Sequence, residues 1–416
     1  MARKNLGNFA GMVHSGLGAH FRAGGSGYSA ETYDPLKAFL PNHLAAWISH
    51  VARFWFHKKH KFREYGAPDK GTGVVPIADR ATLSIAGDWG TGTDEAEKVA
   101  QRIAEFAPDY TIHLGDVYFV GDKTEIEENF LGEKTSPYEP VKWPMGSIGS
   151  FALSGNHEMY ARGYGYFESI LPKMGLREPG SYWGSGQWAS FFCLENNFWR
   201  IIGLETGYNS TAFDWGRVEL LDRSKWLRKS VHFKPKCNFP DPMMAWLAET
   251  VEPEADRRGL ILLTHHGCYS AFSEWYQIPA TQLARVIRRP VIWFWGHEHR
   301  LAIYDRYSVR NGIPAFGRCI GHAGMPVDRG TPDLDAPWLA FDNRRYRNDE
   351  KIDVGFNGHA NLWLDGPEMR AEYRDLNGTA LFAESWQIDL ASGELHGPNL
   401  KKLHDDPSLH FRPGAF

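Results

Sequence analysis

The chain predicts an α/β fold that closes on a set of antiparallel strands, and three features of its sequence carry that reading. Apolar, β-branched runs recur along its middle, over residues 82–86, 110–114, 150–153, 199–204, 260–263 and 291–295. Segments whose apolar residues have helical spacing lie between several of these runs, the alternation that builds a parallel sheet. From Phe356 onward the pattern changes to short strands separated by Asp-Gly, Asn-Gly and Ser-Gly turns, which read as an antiparallel set completing a second sheet.

In chain order, residues 1–75 form an N-terminal extension. Its Gly-rich first half gives way to a helix opened by Pro41 and Asn42, with Leu44, Trp47, Ile48, Val51 and Trp55 on one face. The basic run His57-Lys58-Lys59-His60-Lys61 follows. Such an amphipathic helix ordinarily docks against its own domain, and peripheral contact with a membrane surface is the alternative use. Gly66, Pro68, Gly71 and Gly73 mark the linker into the core. The core domain spans residues 76–395. Thr93, followed by Asp94 and Glu95, caps a helix over 94–106 in which Ala96, Val99, Ala100 and Ile103 share a face. Further helices are expected over 243–252 and 281–287, and antiparallel strands over 360–364, 369–373, 381–382 and 385–388. Residues 396–416, polar and interrupted by proline, read as a loosely ordered tail.

Composition excludes several classes of function. A net charge of -4 leaves no electrostatic footprint for nucleic acid or anionic lipid. No uninterrupted apolar run approaches the roughly 18 residues of a membrane span, and no apolar stretch near Met1 precedes a small-residue cleavage site. Cys193, Cys237, Cys268 and Cys319 stand far apart without CxxC spacing, which suits reduced thiols in a cytoplasmic protein. No Ser-His-Asp spacing, Walker loop or Gly-x-Gly-x-x-Gly fingerprint stands out.

The residues that end the apolar runs point to chemistry. They are Asp88 in Ala-Gly-Asp-Trp-Gly, Asp116 in Leu-Gly-Asp-Val-Tyr, Asn156 and His157 in Gly-Asn-His-Glu, Glu205, His265 with His266, and His297 with His299 in Gly-His-Glu-His. A Gly-Asp after a strand is usually a plain turn, so neither Asp88 nor Asp116 carries a site alone. Gly155-Asn156-His157-Glu158 carries more, because a turn uses only the Gly and Asn. His297 and His299, at i and i+2, share a side if strand geometry continues. Loops past the C-termini of parallel strands converge on one edge of the sheet, so the fold gathers these residues although they span more than 200 positions. Five of the six segments then supply a complete donor set for two divalent cations.

The set resembles the calcineurin-like metallophosphoesterase superfamily. Gly87-Asp88-Trp89-Gly90 and Gly155-Asn156-His157-Glu158 are similar in particular to its purple acid phosphatase branch. The resemblance covers roughly residues 81–300, with a continuation through the C-terminal strands. It implies a four-layer α/β/β/α sandwich of two mixed sheets with flanking helices. It further implies that Asp88 and His299 bind a first metal, Asp116 bridges both, and Asn156, His265 and His297 bind the second. The ions would be divalent Mn, Fe, Zn or similar. His265 is preferred to His266 because the family's ligand is the first His after the strand.

The implied activity is hydrolysis of a small-molecule phosphoric ester by a water activated between the metals. His157, beside Asn156, is placed to protonate the leaving oxygen, and Glu158 to orient that imidazole. His266 and His322 are candidates for substrate contact, with His359, Tyr208, Asn209, Tyr269 and Trp275 for the pocket wall. A phosphomonoesterase is the favoured reading. The alternatives are a phosphodiesterase acting on cyclic nucleotides or other diesters and, in a contrasting class, an inactive binding module on the same fold. The chain departs from the purple phosphatases in one respect. Their metal-binding tyrosine lies three residues after the bridging aspartate, where this chain has Phe119, with Tyr118 one place early. That departure predicts a site without a tyrosinate ligand, working with two divalent ions and colourless.

Overall fold

The computed structural model describes residues 57–135, 139–210, 237–273, 276–348 and 353–412. The helix expected over 41–55, with its membrane-facing alternative, lies outside them, as does Trp275.

Nineteen strands are present among the described residues. In chain order they are β1 (Val74–Pro76), β2 (Arg80–Ala86), β3 (Tyr110–His113), β4 (Gly149–Ala152), β5 (Gly175–Leu176), β6 (Phe192–Glu195) and β7 (Trp199–Gly203). Then follow β8 (Gly259–Thr264), β9 (Val291–Trp295), β10 (Leu301–Tyr307), β11 (Ala315–Ile320), β12 (Trp338–Asp342), β13 (Arg345–Arg347) and β14 (Asp353–Gly355). The last five are β15 (Gly358–Asp365), β16 (Glu368–Asp375), β17 (Ala380–Asp389), β18 (Glu394–Lys402) and β19 (Leu409–Phe411). One sheet has the order β1-β6-β7-β8-β9-β11-β10-β12-β19, and the other β18-β17-β16-β15-β2-β3-β4-β5. Both are mixed: β2, β3 and β4 run parallel, as do β7, β8, β9 and β11 and the edge pair β1 and β6, while the other flanking pairs are antiparallel.

The sheets pack face to face through alternate side chains, as period-two strands with one face inward must. Leu83, Ile85 and Ile112 of one sheet share a buried cluster with Ile201, Ile261, Phe294 and Ile320 of the other. The helix Asp94–Phe106 covers the outer face of the first sheet through Ala96, Val99 and Ile103. Met243, Trp246 and Leu283, from the helices Asp241–Trp246 and Gln277–Leu283, cover the outer face of the second. The result is the expected four-layer α/β/β/α arrangement. The Thr93 hydroxyl caps the first helix by accepting from Ala96 N at 3.2 Å, and the helix has the bounds its periodicity predicts.

Two expectations about the ends of the domain need correction. Residues 74 and 75, placed in the extension, form β1 with Pro76 and pair with β6. The loose tail expected after residue 395 is instead most of β18, paired along β17, and β19, which pairs with β12 in the other sheet. Leu400 and Leu409 are buried there, and that apolar burial offsets the cost of ordering a polar edge. The antiparallel C-terminal strands complete the sheet that holds β2, as the sequence predicts. The helix expected over 281–287 begins earlier, at Gln277, with Pro279 inside its first turn.

Candidate metal centre

The loops after β2, β3, β4, β8 and β9 meet at one edge of the sandwich and bring Asp88, Asp116, Asn156, His265, His297 and His299 together. Asp88, Asp116 and His265 offer donor atoms within 4.8 Å of one another, and so do His265, His266 and His297. Backbone bonds knit the loops: Asp88 N donates to Gly115 O at 3.0 Å and Gly296 N to His265 O at 3.0 Å. Asp88, Asp116 and His297 all adopt left-handed backbone, with φ of 60°, 70° and 66°. Non-glycine residues hold that conformation only where the surroundings over-determine it, a pattern that clusters at functional sites. Gly155 permits the closest approach, because a Cβ there would lie 2.0 Å from Asp116 Oδ1.

Asp116 is the centre of the arrangement. Its Oδ2 lies 3.3 Å from His265 Nε2, 3.8 Å from His157 Nε2 and 3.1 Å from the Tyr118 hydroxyl, while Oδ1 accepts from His157 N at 2.9 Å. On one side, Asp88 Oδ1 is 3.4 Å from His299 Nε2, and Asp88 Oδ2 accepts from His297 N at 2.7 Å. On the other, Asn156 donates through Nδ2 to the Tyr160 hydroxyl at 3.0 Å, which leaves Oδ1 facing His265 Nε2 at 3.1 Å. It is therefore His265, not His266, that reaches Asp116. His266 sits beside it against Thr206 Oγ1 at 3.1 Å, with its ring 4.4 Å from that of His297. His297 Nε2 is met by the Tyr276 hydroxyl at 3.0 Å.

The electrostatics fit bound cations. Among the described residues, the partners of the buried Asp88 and Asp116 carboxylates are imidazoles, a phenol and backbone N–H groups, with no Lys or Arg. Burial opposes ionisation of Asp116, yet the facing His265 and His157 hold its carboxyl well below the usual range. Burial likewise opposes charge on His265, but Asp116 and Asp88 raise its pKa to about 9. A proton on His265 thus supplies the positive charge that two buried carboxylates demand, and a divalent cation would supply it better.

Three expectations differ from this geometry. Glu158 does not orient His157. Its carboxylate accepts from Gly155 N at 2.7 Å, Val117 N at 2.6 Å and Asp116 N at 3.3 Å, so it clamps the loops that carry Asp116 and Asn156. The His157 ring is held instead by a bond from Nδ1 to the Phe119 carbonyl. His322 is not gathered with the donors. Its ring lies against Gly358, where a Cβ would meet Nε2 at 2.8 Å, and neither ring nitrogen of His322 or of His359 has a partner among the described residues. Tyr118, expected outside the donor set, has its hydroxyl 2.8 Å from Asp88 Oδ1 and 3.1 Å from His299 Nε2, besides its contact with Asp116.

Sequence reasoning missed Tyr160 and Tyr276. Tyr160 had a signal, since Asn156 and Tyr160 are i and i+4 on the short helix Asn156–Tyr160. Tyr276 had none, because no spacing rule reads the direction of a loop residue. Of the other wall candidates, Tyr269 is buried with its hydroxyl on the Ala315 carbonyl, and the Tyr208 hydroxyl donates to His60 O at 2.7 Å.

Comparison with known proteins gives the family. The family model for calcineurin-like phosphoesterases matches residues 82–301. No curated protein matches the chain. Solved structures are similar at low identity. One described as GAP50, the anchor in the inner membrane complex of Plasmodium, is 13% identical, covers 78% of this chain and 90% of its own, and has a TM-score of 0.43. PhoD is 11% identical over 79% of this chain and 72% of its own, also at 0.43. A predicted phosphoesterase from Streptococcus pneumoniae is 10% identical over 75% and 99%, at 0.28. The family match, from the strand before Asp88 to just past His299, spans more than half of the sequence, and on it the protein belongs to the calcineurin-like phosphoesterases.

Proposed function

We propose that the protein is a phosphomonoesterase with a dinuclear metal centre, in which Asp88, Asp116, Tyr118 and His299 hold a first cation and Asp116, Asn156, His265 and His297 a second. The observation that carries this reading is the position of Asp116 Oδ2, 3.1 Å from the Tyr118 hydroxyl on one side and 3.3 Å from His265 Nε2 on the other. One carboxylate faces both donor sets. When bound, two divalent cations acidify a water and neutralise phosphoryl oxygens.

The chain's own residues supply the rest. A carbonyl oxygen only accepts, so the Nδ1 of His157 bonded to Phe119 O carries a hydrogen, and Nε2 is the nitrogen that takes and releases a proton. Burial lowers the pKa of His157 while Asp116 raises it, the first prevailing. An imidazolium shifted that way is a stronger acid, suited to protonating a departing alkoxide. Glu158 fixes the Asp116 and Asn156 loops, so the donors need little rearrangement to meet their ions. The four cysteines, all buried and unpaired, support the cytoplasmic location read from the sequence.

The test is an assay of 4-nitrophenyl phosphate against bis(4-nitrophenyl) phosphate, with protein loaded with Mn, Fe or Zn and its metal content measured. Faster monoester turnover with two metal equivalents is expected. Preference for the bis-ester would move the protein to the phosphodiesterases. Two bound metals with no turnover of either ester would identify an inactive binding module.

A further inference from the structure

Glu205 ends an apolar strand as the ligand residues do, yet none of its bonds goes to the metal donors. It is fully buried. Its Oε2 accepts from Ser154 Oγ at 2.7 Å, and Oε1 accepts from Tyr208 N at 2.8 Å. Ser154 lies two residues before Asn156. The intervening turn also touches the site: Thr206 Oγ1 accepts from His266 N at 3.1 Å, and Gly207 packs so closely on Gly155 that a Cβ would fall 2.3 Å from Gly155 O.

The same turn is gripped from outside by the segment ahead of β1. The Lys59 ammonium donates to the Tyr208 carbonyl and lies 3.7 Å from the centre of the Tyr208 ring. The Tyr208 hydroxyl donates back to His60 O at 2.7 Å, and His60 stacks on Phe167 with ring centres 4.6 Å apart. Burial brings the Lys59 pKa down to about 8, with Glu205 attracting its charge and Arg162 repelling it.

We infer that Glu205 is a positioning residue of the metal centre, a brace that fixes the Asn156 loop through Ser154 and that Lys59 holds in place through the Tyr208 turn. The inference rests on the reading of Asn156 as a donor to the second cation. It gives residues 57–65, outside the family match, a part in metal binding. A buried carboxylate with two bonds and a nearby ammonium is well suited to the task, because outer partners of metal ligands set their orientation.

The experiment measures binding of Mn2+ at both sites by competition with a chelator, together with thermal stability. Glu205→Gln should weaken one of the two equivalents about 10-fold, the lower end for loss of an outer partner, and leave the other unchanged. Lys59→Met should weaken the same equivalent less, Lys59→Arg should restore it, and the double variant should be no weaker than Glu205→Gln alone. Should Glu205→Gln fail to fold, Ser154→Ala cuts the brace from its other end and should weaken the same equivalent. Normal binding of both equivalents in the folded brace variants overturns the inference, as do losses that multiply in the double variant. Wild-type protein that binds no Mn2+ overturns the dinuclear reading and the brace together.

Discussion

Two groups of buried charge in this sandwich are handled in opposite ways. Between the sheets, Arg318 of β11 reaches Glu384 of β17, with Nε 2.8 Å from Oε1 and Nη2 2.6 Å from Oε2. Its Nη1 donates to the Tyr304 and Gly317 carbonyls, and the Tyr373 hydroxyl donates to Glu384 Oε1 at 2.6 Å. At the sheet edge, Asp88 and Asp116 are as deeply buried but meet imidazoles and no Lys or Arg among the described residues. Burial of a carboxylate is therefore no mark of function by itself. What separates the two clusters is the kind of compensating charge: a permanent guanidinium between the sheets, and at the edge titratable imidazoles that can give way to a cation.

Removing charge should accordingly have opposite effects in the two places. The largest effect is expected for Asp116→Asn, which should cut hydrolysis by more than about 100-fold, beyond what loss of an outer partner causes. It should also lose at least one metal equivalent while the metal-free protein unfolds at nearly its normal temperature. Retention of both metals with near-normal turnover would take Asp116 out of the bridge. Between the sheets the pattern inverts. Arg318→Met strands Glu384 and should cost about 3–5 kcal/mol in urea unfolding, with activity per folded molecule kept, while Arg318→Met with Glu384→Leu should recover much of the loss. An equally unstable double variant would mean that this cluster is held by something other than charge.

Tyr118 tests the metal side more finely. Tyr118→Phe should lower affinity for the first cation about 10-fold, read by metal competition. Protein loaded with iron(III) should show a visible band that the variant lacks. Unchanged affinity and no band would return Tyr118 to the role of a hydrogen-bond donor to Asp88.

The smallest effect concerns a third kind of buried polar group, the unpartnered His322 and His359. Burial pulls their pKa values from 6.5 to about 4 and about 3. Below 6.5 the unfolded chain holds protons that the folded chain cannot, so stability present above 6.5 is lost as pH falls towards those values. Each group contributes a slope of about 1.4 kcal/mol per pH unit. Urea midpoints between pH 7 and 5 should fall, and His359→Gln should reduce the slope by one such step. A slope unchanged in that variant would show that His359 is not neutral in the fold.

The donors were legible because each ends an apolar run, and a parallel sheet gathers strand ends by construction. The helix Asp94–Phe106 was legible from one cap and one stripe. Directions past a strand end were not. Tyr118 looked displaced by one position, yet the turn aims its hydroxyl at Asp88 and Asp116. Glu158 looked like a partner for its neighbour, because sequence does not show which backbone N–H groups a loop leaves in need of an acceptor. The edge strands β18 and β19 looked like a tail because a strand with one solvated face and a proline lacks a strong apolar pattern.

The pairing of β2 with β15 constrains how the chain can be made. Ile85 lies opposite Ala360, and the strand that places Asp88 keeps an open edge until β15 has been made. During synthesis, β2 and β3 can pair early, but the sheet edge beside them stays exposed while β6 to β12 of the other sheet emerge. A nascent chain in that state has an unpaired apolar strand available to neighbouring chains. The segment that carries the proposed metal donors therefore completes its sheet only with strands that hold none of them.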